Sequence, residues 1–111
     1  MNAKDYKKNI DHLDSLGIFV HGQAWDDKPY SAEVECYTDA GEDMCFCLEE
    51  LSAEGMMEYV DSFDINEQVV LWWPGGRKAE GMGVPFNNIV EHYQDYEKFL
   101  ERLSKAAEGM V

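Results

Sequence analysis

The cysteines and many of the carboxylates, which could bind metal ions or take part in redox chemistry, lie together in the first half of the chain. Cys36, Cys45 and Cys47 fall within the eighteen-residue segment EVECYTDAGEDMCFCLEE, which begins at Glu33 and also contains seven acidic residues. Thiols and carboxylates can bind metal ions, and a Cys-x-Cys pair can also act as a redox couple. The same pattern is compatible with a β-hairpin that has an acidic outer face.

A metal or redox role for Cys45 and Cys47 is the less favoured of these interpretations. Structural zinc sites use four N or S ligands, often from Cys-x2-4-Cys pairs, whereas this pair is closer in sequence. The three histidines (His12, His21 and His92) form no partner motif. Residues two apart on a strand share a face but are poorly directed for a disulfide. The sequence therefore predicts thiols that fill a strand, with no metal ligand and no cofactor.

A glycine-rich segment at residues 74–85 is the second candidate site. The predicted order of strand, glycine-rich loop and helix is the one used by phosphate-binding loops. However, the segment matches neither Gly-x4-Gly-Lys-Ser/Thr nor Gly-x-Gly-x-x-Gly. The chain also lacks Gly-x-Ser-x-Gly and His-Glu-x-x-His, the motifs of two hydrolase classes. We therefore expect a connecting loop and a protein that is not an enzyme.

The charge distribution is the most unusual property of the sequence. Residues 31–67 contain twelve acids and no base, so this third of the chain accounts for −12 of the net charge of −14. Such a charge argues against direct binding to nucleic acid, which depends on Lys and Arg clusters. The candidate partner-binding residues are Glu33, Glu35, Asp39, Glu42, Asp43, Glu49, Glu50, Glu54, Glu58 and Asp61.

The spacing of these acids allows two interpretations. Carboxylates two apart on a strand stand about 6.5 to 7 Å apart, and those three or four apart on a helix about 5 to 6 Å. Both separations are close to the phosphate spacing of a nucleic-acid strand. The acids form either a solvated face or a surface complementary to a basic groove.

The elements that position these residues follow from hydrophobic periodicity. A helix is predicted over residues 4–16, with Tyr6, Ile10, Leu13 and Leu16 on its buried face and Gly17 at its C-cap. Strands are predicted over residues 18–25 and 30–38, separated by a turn at residues 26–29. The second strand continues through a three-residue turn, 39–41, into a third.

The length of that turn sets the register of the hairpin. With Gly41 in the left-handed conformation, Cys36 faces Met44 and Val34 faces Phe46. One face of the hairpin is then wholly apolar. The other holds Glu33, Glu35, Tyr37, Asp43, Cys45 and Cys47. A register shifted by one residue would mix the two faces.

The second half of the chain completes an α+β domain. Ser52 is predicted to cap a helix that ends near residue 62, with Met56, Tyr59, Val60 and Phe63 buried. A fourth strand is predicted over residues 68–73, and a long helix over residues 87–107 buries Ile89, Tyr93, Tyr96, Leu100, Leu103 and Ala107. The prediction is one domain over residues 1–111, with the order α-β-β-β-α-β-α. About four antiparallel strands are covered on one face by helices.

Residues 44–107 resemble small acidic proteins carried on mobile genetic elements of Gram-positive gut bacteria. The resemblance rests on Phe63-Asp64, Asn66-Glu67, Val69, Leu71-Trp72, Gly83-Val84-Pro85, Ile89-Val90 and Leu100-Glu101-Arg102-Leu103. The chain departs from the pattern at Gln68, where a histidine is usual, and at residues 73–76. The resemblance implies a mobile-element setting, in which inhibitors of host defence such as anti-CRISPR proteins and DNA mimics are common.

These observations predict a cytoplasmic binding protein. No apolar run approaches the length of a membrane helix, and no signal peptide is visible. The expected partner is a basic nucleic-acid-binding protein, with a CRISPR effector or a restriction enzyme as the concrete candidates. One alternative is an assembly module that dimerises through an exposed Trp and a sheet edge. Another is a small enzyme or metal protein that uses Cys45, Cys47 and a histidine.

Overall fold

The computed structural model of the protein describes residues 1–70 and 88–111, and it confirms an α+β architecture. Its elements are α1 (Ala3–Ser15), β1 (Phe19–Gly22), β2 (Ala32–Tyr37), β3 (Asp43–Leu48), α2 (Ala53–Ser62), α3 (Ile65–Val70) and α4 (Asn88–Glu108). The three strands form an antiparallel sheet in the order β1-β2-β3. No helix in these two ranges is long and apolar enough to cross a membrane.

The predicted hairpin register is confirmed. Cys36 pairs with Met44 and Val34 pairs with Phe46. Gly41 has a φ of 88°, and its N–H donates to the Thr38 carbonyl at 2.9 Å. Glycine suits this turn because it has no side chain, and a side chain would disfavour the positive φ. Burial alternates strictly along both strands, so one face is apolar and the other is open.

The predicted fourth strand is wrong where it can be compared with the structure. Residues 68–70 are the end of α3, whereas residues 71–73 and the glycine-rich segment at 74–85 lie outside the described residues. Asp64 starts α3, because its Oδ1 accepts the Glu67 N–H at 3.2 Å. The spacing from Asp64 to Glu67 resembles a capping box, a helix signal that the apolar run after it obscured. In the part of the chain that is described, the sheet therefore has three strands.

The core lies between the apolar face of the sheet and the helices α2 and α4. Phe46 of β3 stacks on Tyr59 of α2, with ring centroids 4.0 Å apart and planes 8° from parallel. Phe99 of α4 meets the edge of the Phe46 ring at 6.3 Å. Phe63, just after α2, contacts both Phe99 and Tyr96. These rings join the two helices to the sheet in one aromatic cluster.

The long helix α4 buries part of the predicted stripe and further residues, and the side chain of Ile89 lies outside the described part of the structure. Tyr96, Leu103 and Ala107 are buried as predicted, while Tyr93 and Leu100 are half-buried. Phe99 and Ala106 are also buried and were not predicted. The apolar stripe is therefore wider than a single row of residues, as is usual for a helix that packs against both a sheet and another helix.

Helix α1 ends in a Schellman motif, and its C-cap lies one residue before the predicted C-cap, Gly17. The Ile18 N–H donates to the Leu13 carbonyl, and the Gly17 N–H donates to the Asp14 carbonyl. Gly17 has a φ of 76°, which is the usual conformation of the residue that follows a helix. Leu16 is therefore the C-cap and is exposed, so its predicted place on the buried face is wrong.

Candidate partner-binding surface

The outer face of the sheet presents the polar residues of the hairpin. Glu33, Tyr37, Asp43, Cys45 and Cys47 are exposed, and Glu35 is half-buried. Strand β1 adds Phe19 and His21, which are both exposed. Cys36 lies on the opposite, buried face, as predicted. None of the described elements covers this outer face.

The acidic surface continues around the edge strand β3 onto α2. A cavity of about 350 Å³ between β3 and α2 is lined by residues that include Cys47, Glu49, Glu58 and Ser62. On α2, Glu54, Glu58 and Asp61 are all exposed, and Ser52 caps the helix by accepting the Gly55 N–H at 3.0 Å. Carboxylates of the hairpin and of α2 therefore border one groove.

Three of the ten predicted acids contact a Lys, Arg or Tyr side chain elsewhere in the molecule. Glu42 is half-buried and accepts a hydrogen bond from the Tyr96 hydroxyl. Asp39 lies 3.8 Å from the Arg102 guanidinium. Glu49 forms an ion pair with the Lys28 ammonium at 3.1 Å.

The other seven acids form what we call the acidic band. Its members are Glu33, Glu35, Asp43, Glu50, Glu54, Glu58 and Asp61. Within the two described ranges, none of these carboxylates has a Lys or Arg partner. The acidic band is therefore open to an external base.

Helix α4 holds the hairpin in place through three hydrogen bonds, in addition to the Arg102–Asp39 pair. Asp95 Oδ1 accepts the Ala40 N–H at 3.0 Å, and Arg102 Nη1 donates to the Tyr37 carbonyl at 2.8 Å. The Tyr96–Glu42 bond is the third. Tyr96 and Glu42 were named from the sequence in other roles, whereas Asp95 and Arg102 were assigned no role. Asp95 beside the apolar stripe was a signal, because a buried carboxylate needs hydrogen-bond donors.

A cluster of ionisable groups lies at the centre of the outer face. Glu35 Oε1 is 3.1 Å from His21 Nε2, and Cys45 Sγ is 3.5 Å from Glu35 Oε2 and 3.8 Å from Asp43 Oδ1. Sequence analysis considered Cys45 together with Cys47 and a histidine. The structure instead places Cys45 with His21 and two carboxylates, and Cys47 outside this group.

The electrostatics of this cluster reflect crowded negative charge. A hydrogen bond with Asp43 and another with His21 lower the pKa of Glu35, and the same contact with Glu35 raises the pKa of Asp43. Lost hydration and the hydrogen bond with Glu35 raise the pKa of the Cys45 thiol to about 11. The charges of Asp43 and Glu35 also raise the pKa of Tyr37. The outer face is thus a region of strongly negative potential.

No protein-family model, curated protein or solved structure matches this chain. The resemblance to mobile-element proteins therefore stays a prediction, and the function has to be argued from the surface itself.

Proposed function

We propose that the protein is a non-enzymatic inhibitor that places its acidic band in the basic nucleic-acid-binding groove of another protein. The observation that carries this proposal is a band of seven carboxylates, six exposed and one (Glu35) half-buried, that have no Lys or Arg partner in the described parts of the chain. A surface selected only for solubility would mix both signs of charge. Like charges held near one another on a strand or helix instead cost a few tenths of a kcal/mol per pair.

The arrangement of the band supports mimicry of a phosphate backbone. Glu33 and Glu35 lie two apart on β2 and on the same face, which corresponds to about 6.5 to 7 Å. Glu54, Glu58 and Asp61 follow one exposed side of α2 at about 5 to 6 Å. Carboxylates at these intervals can meet successive Lys and Arg side chains that otherwise bind successive phosphates.

The nearby Lys and Arg side chains do not pair with the carboxylates of the acidic band. Lys28 and Arg102 reach the hairpin from β1–β2 and from α4, but they pair with Glu49 and Asp39 outside the band. The contacts from α4 also fix the hairpin turn. A rigid surface of like charge loses little conformational entropy on binding, and it attracts a basic partner from a distance.

The concrete candidates for the partner are a CRISPR effector and a restriction enzyme. Both hold nucleic acid in positively charged channels, and both act against mobile elements, the setting that the sequence resemblance implies. The proposed inhibitor would compete with the nucleic acid for the channel. Because the attraction is between exposed charges, the affinity should fall as the salt concentration rises.

Reversal of four acids of the band tests this proposal. We expect the variant with Glu33→Lys, Glu35→Lys, Glu54→Lys and Glu58→Lys to lose binding while its circular dichroism spectrum stays unchanged. The matched control reverses Asp11, Asp14, Asp26 and Asp27 to Lys; these are exposed acids of the first thirty residues. Both variants change the net charge by the same amount, so only the location of the charge differs.

The measurement has two parts. Tagged protein is used to capture partners from host lysate with nuclease added, at low and high salt. Labelled DNA bound to purified CRISPR effectors and restriction enzymes is then titrated with the protein, and its displacement is followed by fluorescence anisotropy. Displacement by the parent and the control, but not by the band variant, supports the proposal. Binding that is insensitive to salt and to the band reversal contradicts it.

A second candidate function is an assembly module that acts as a homodimer. It is favoured by three exposed aromatic side chains on or beside the sheet, Phe19, Trp25 and Tyr37. Sedimentation velocity separates the two candidates. A dimer that persists at high salt, from a protein that captures no basic partner, favours the assembly module.

A further inference from the structure

Four side chains with different donor atoms meet on the outer face of the sheet. They are His21, Glu35, Asp43 and Cys45, and they come from three adjacent strands. One oxygen from each carboxylate and the Cys45 sulfur all lie within 4.8 Å of one another. His21 Nε2 is 3.1 Å from Glu35 Oε1 and lies beside this group of three, outside the 4.8 Å that its members share.

The strand register is what brings these donors together. Glu35 lies directly opposite Cys45, and Asp43 lies two residues before Cys45 on the same face. On β1, the pairing with β2 shifts between Val20 and Gly22. A bulge of this kind re-aims the residue at the irregularity, which here is His21. The group therefore depends on backbone features of all three strands.

The separations suit a single small cation. Ligands of one tetrahedral zinc ion, with bonds of about 2.0 to 2.3 Å, lie about 3.3 to 3.8 Å apart. Small rotations of side chains at an open surface bring three donors from within 4.8 Å into that range. Tetrahedral zinc takes four ligands, and the exposed imidazole of His21 can supply the fourth.

We propose that His21, Glu35, Asp43 and Cys45 form a Zn²⁺ site. The mixed set of nitrogen, sulfur and oxygen donors selects the metal, because Mg²⁺ and Ca²⁺ take oxygen ligands whereas Zn²⁺ accepts all three. Cys45 would bind as the thiolate, with its proton released to the solvent. In the described ranges, no Lys or Arg pairs with Glu35 or Asp43, so a cation would balance charges that otherwise repel. This inference does not depend on the proposed inhibitor function.

The chain offers two matched controls for this site. Cys47 is on the same strand and face as Cys45 but lies outside the group, and Glu33 has the same relation to Glu35. The test variants are therefore Cys45→Ser and Asp43→Asn. The controls are Cys47→Ser and Glu33→Gln. Circular dichroism of each metal-free variant establishes that the fold is retained.

The experiment titrates the purified, reduced protein with Zn²⁺ against a chromophoric chelator, and with Co²⁺ as a spectroscopic probe. We expect one Zn²⁺ per chain, unaffected by excess Ca²⁺. The affinity should fall at least about a hundredfold in the test variants and in His21→Ala, because loss of a residue that only supports a ligand already costs about ten- to a hundredfold. A thiolate-to-cobalt charge-transfer band should appear in the parent and in Cys47→Ser and vanish in Cys45→Ser.

Three results would overturn the inference. The first is the absence of Zn²⁺ binding in the parent protein. The second is displacement of Zn²⁺ by Ca²⁺, which would indicate nonspecific attraction to acidic residues. The third is an equal loss of affinity in Cys47→Ser and Cys45→Ser. None of these results bears on capture of a basic partner, so the two proposals can fail separately.

Discussion

At the scale of single residues, Gly55 shows how closely α2 packs on the segment before it. A Cβ atom at this position would lie 2.0 Å from the Glu50 carbonyl oxygen and 3.3 Å from Ser52 Oγ. Gly55 lies within a helix, where alanine would otherwise be preferred. The position therefore requires glycine because there is no space for a side chain.

We expect Gly55→Ala to destabilise the protein by about 1 to 3 kcal/mol, as overpacking generally does. Without the clash, the same substitution would stabilise the helix by about 0.5 to 1 kcal/mol. The sign of the change in unfolding free energy, measured by urea denaturation, therefore shows whether the clash or the gain in helix propensity is larger. The neighbouring exposed control Glu54→Ala should change the stability by less than about 0.5 kcal/mol.

At the scale of elements, the contact between α2 and the sheet depends on Tyr59. Its ring stacks on Phe46, and burial raises the pKa of its hydroxyl above the ordinary value. The neutral form is thus favoured in the folded state. Because the folded pKa exceeds the unfolded pKa of about 10, this contribution to stability is complete below pH 10 and is lost as the pH rises further.

The expected outcome for Tyr59→Phe is a shallower loss of stability in alkaline solution. The phenylalanine keeps the stacking but cannot ionise, so the difference in unfolding free energy between variant and parent should shift in favour of the variant above pH 10. One such group changes the slope by up to about 1.4 kcal/mol per pH unit. Urea denaturation between pH 8 and 11 measures it, and parallel curves for the two proteins would contradict the expectation.

At the scale of the whole molecule, Asn9 ties together segments that are distant in sequence. Its side-chain amide donates to the Leu51 carbonyl at 2.8 Å and to the Val111 carbonyl at 3.3 Å. Its side-chain oxygen accepts the Val111 N–H at 2.9 Å. Asn9 and Leu51 are fully buried, whereas Val111 is exposed, so the Leu51 carbonyl is the partner without ready access to water.

Replacement of Asn9 should therefore be costly. Asn9→Ala leaves the buried Leu51 carbonyl without this partner, and we expect a loss of about 1 to 3 kcal/mol. The control is Lys8→Ala, an exposed neighbour on the same helix. Thermal and urea denaturation give the measurement, and a loss below about 1 kcal/mol would mean that the amide's bonds are dispensable.

The features that were predicted from sequence are those with local causes. Alternation along residues 32–37 and 43–48, together with the three-residue turn, is enough to specify the hairpin, because a shift of one residue would bury carboxylates. The same register also placed Glu42 on the inner face, in line with Met44. Its contact with Tyr96 was therefore partly foreseeable, although it was included among the candidate partner-binding residues.

The features that were missed depend on contacts between distant segments. Asn9 lies on the apolar stripe of α1, three residues after Tyr6 and four before Leu13, but its partners are 42 and 102 residues away and do not follow from this position. The pairing of Lys28 with Glu49 and of Arg102 with Asp39 likewise follows only from the packed structure. The short apolar run at residues 68–70 fits a strand and a helix equally well. The cap formed by Asp64 stabilises the helix.

The three-residue turn closed by Gly41 also has a consequence for how this chain can change during evolution. Glu33, Asp39 and Asp43 of the hairpin are exposed, so they can be substituted one at a time without moving their neighbours. An insertion or deletion of one residue in the turn would instead invert β3 relative to β2 and turn Asp43 toward the core. Related sequences should therefore vary in the identity of the hairpin acids while conserving the length of the turn.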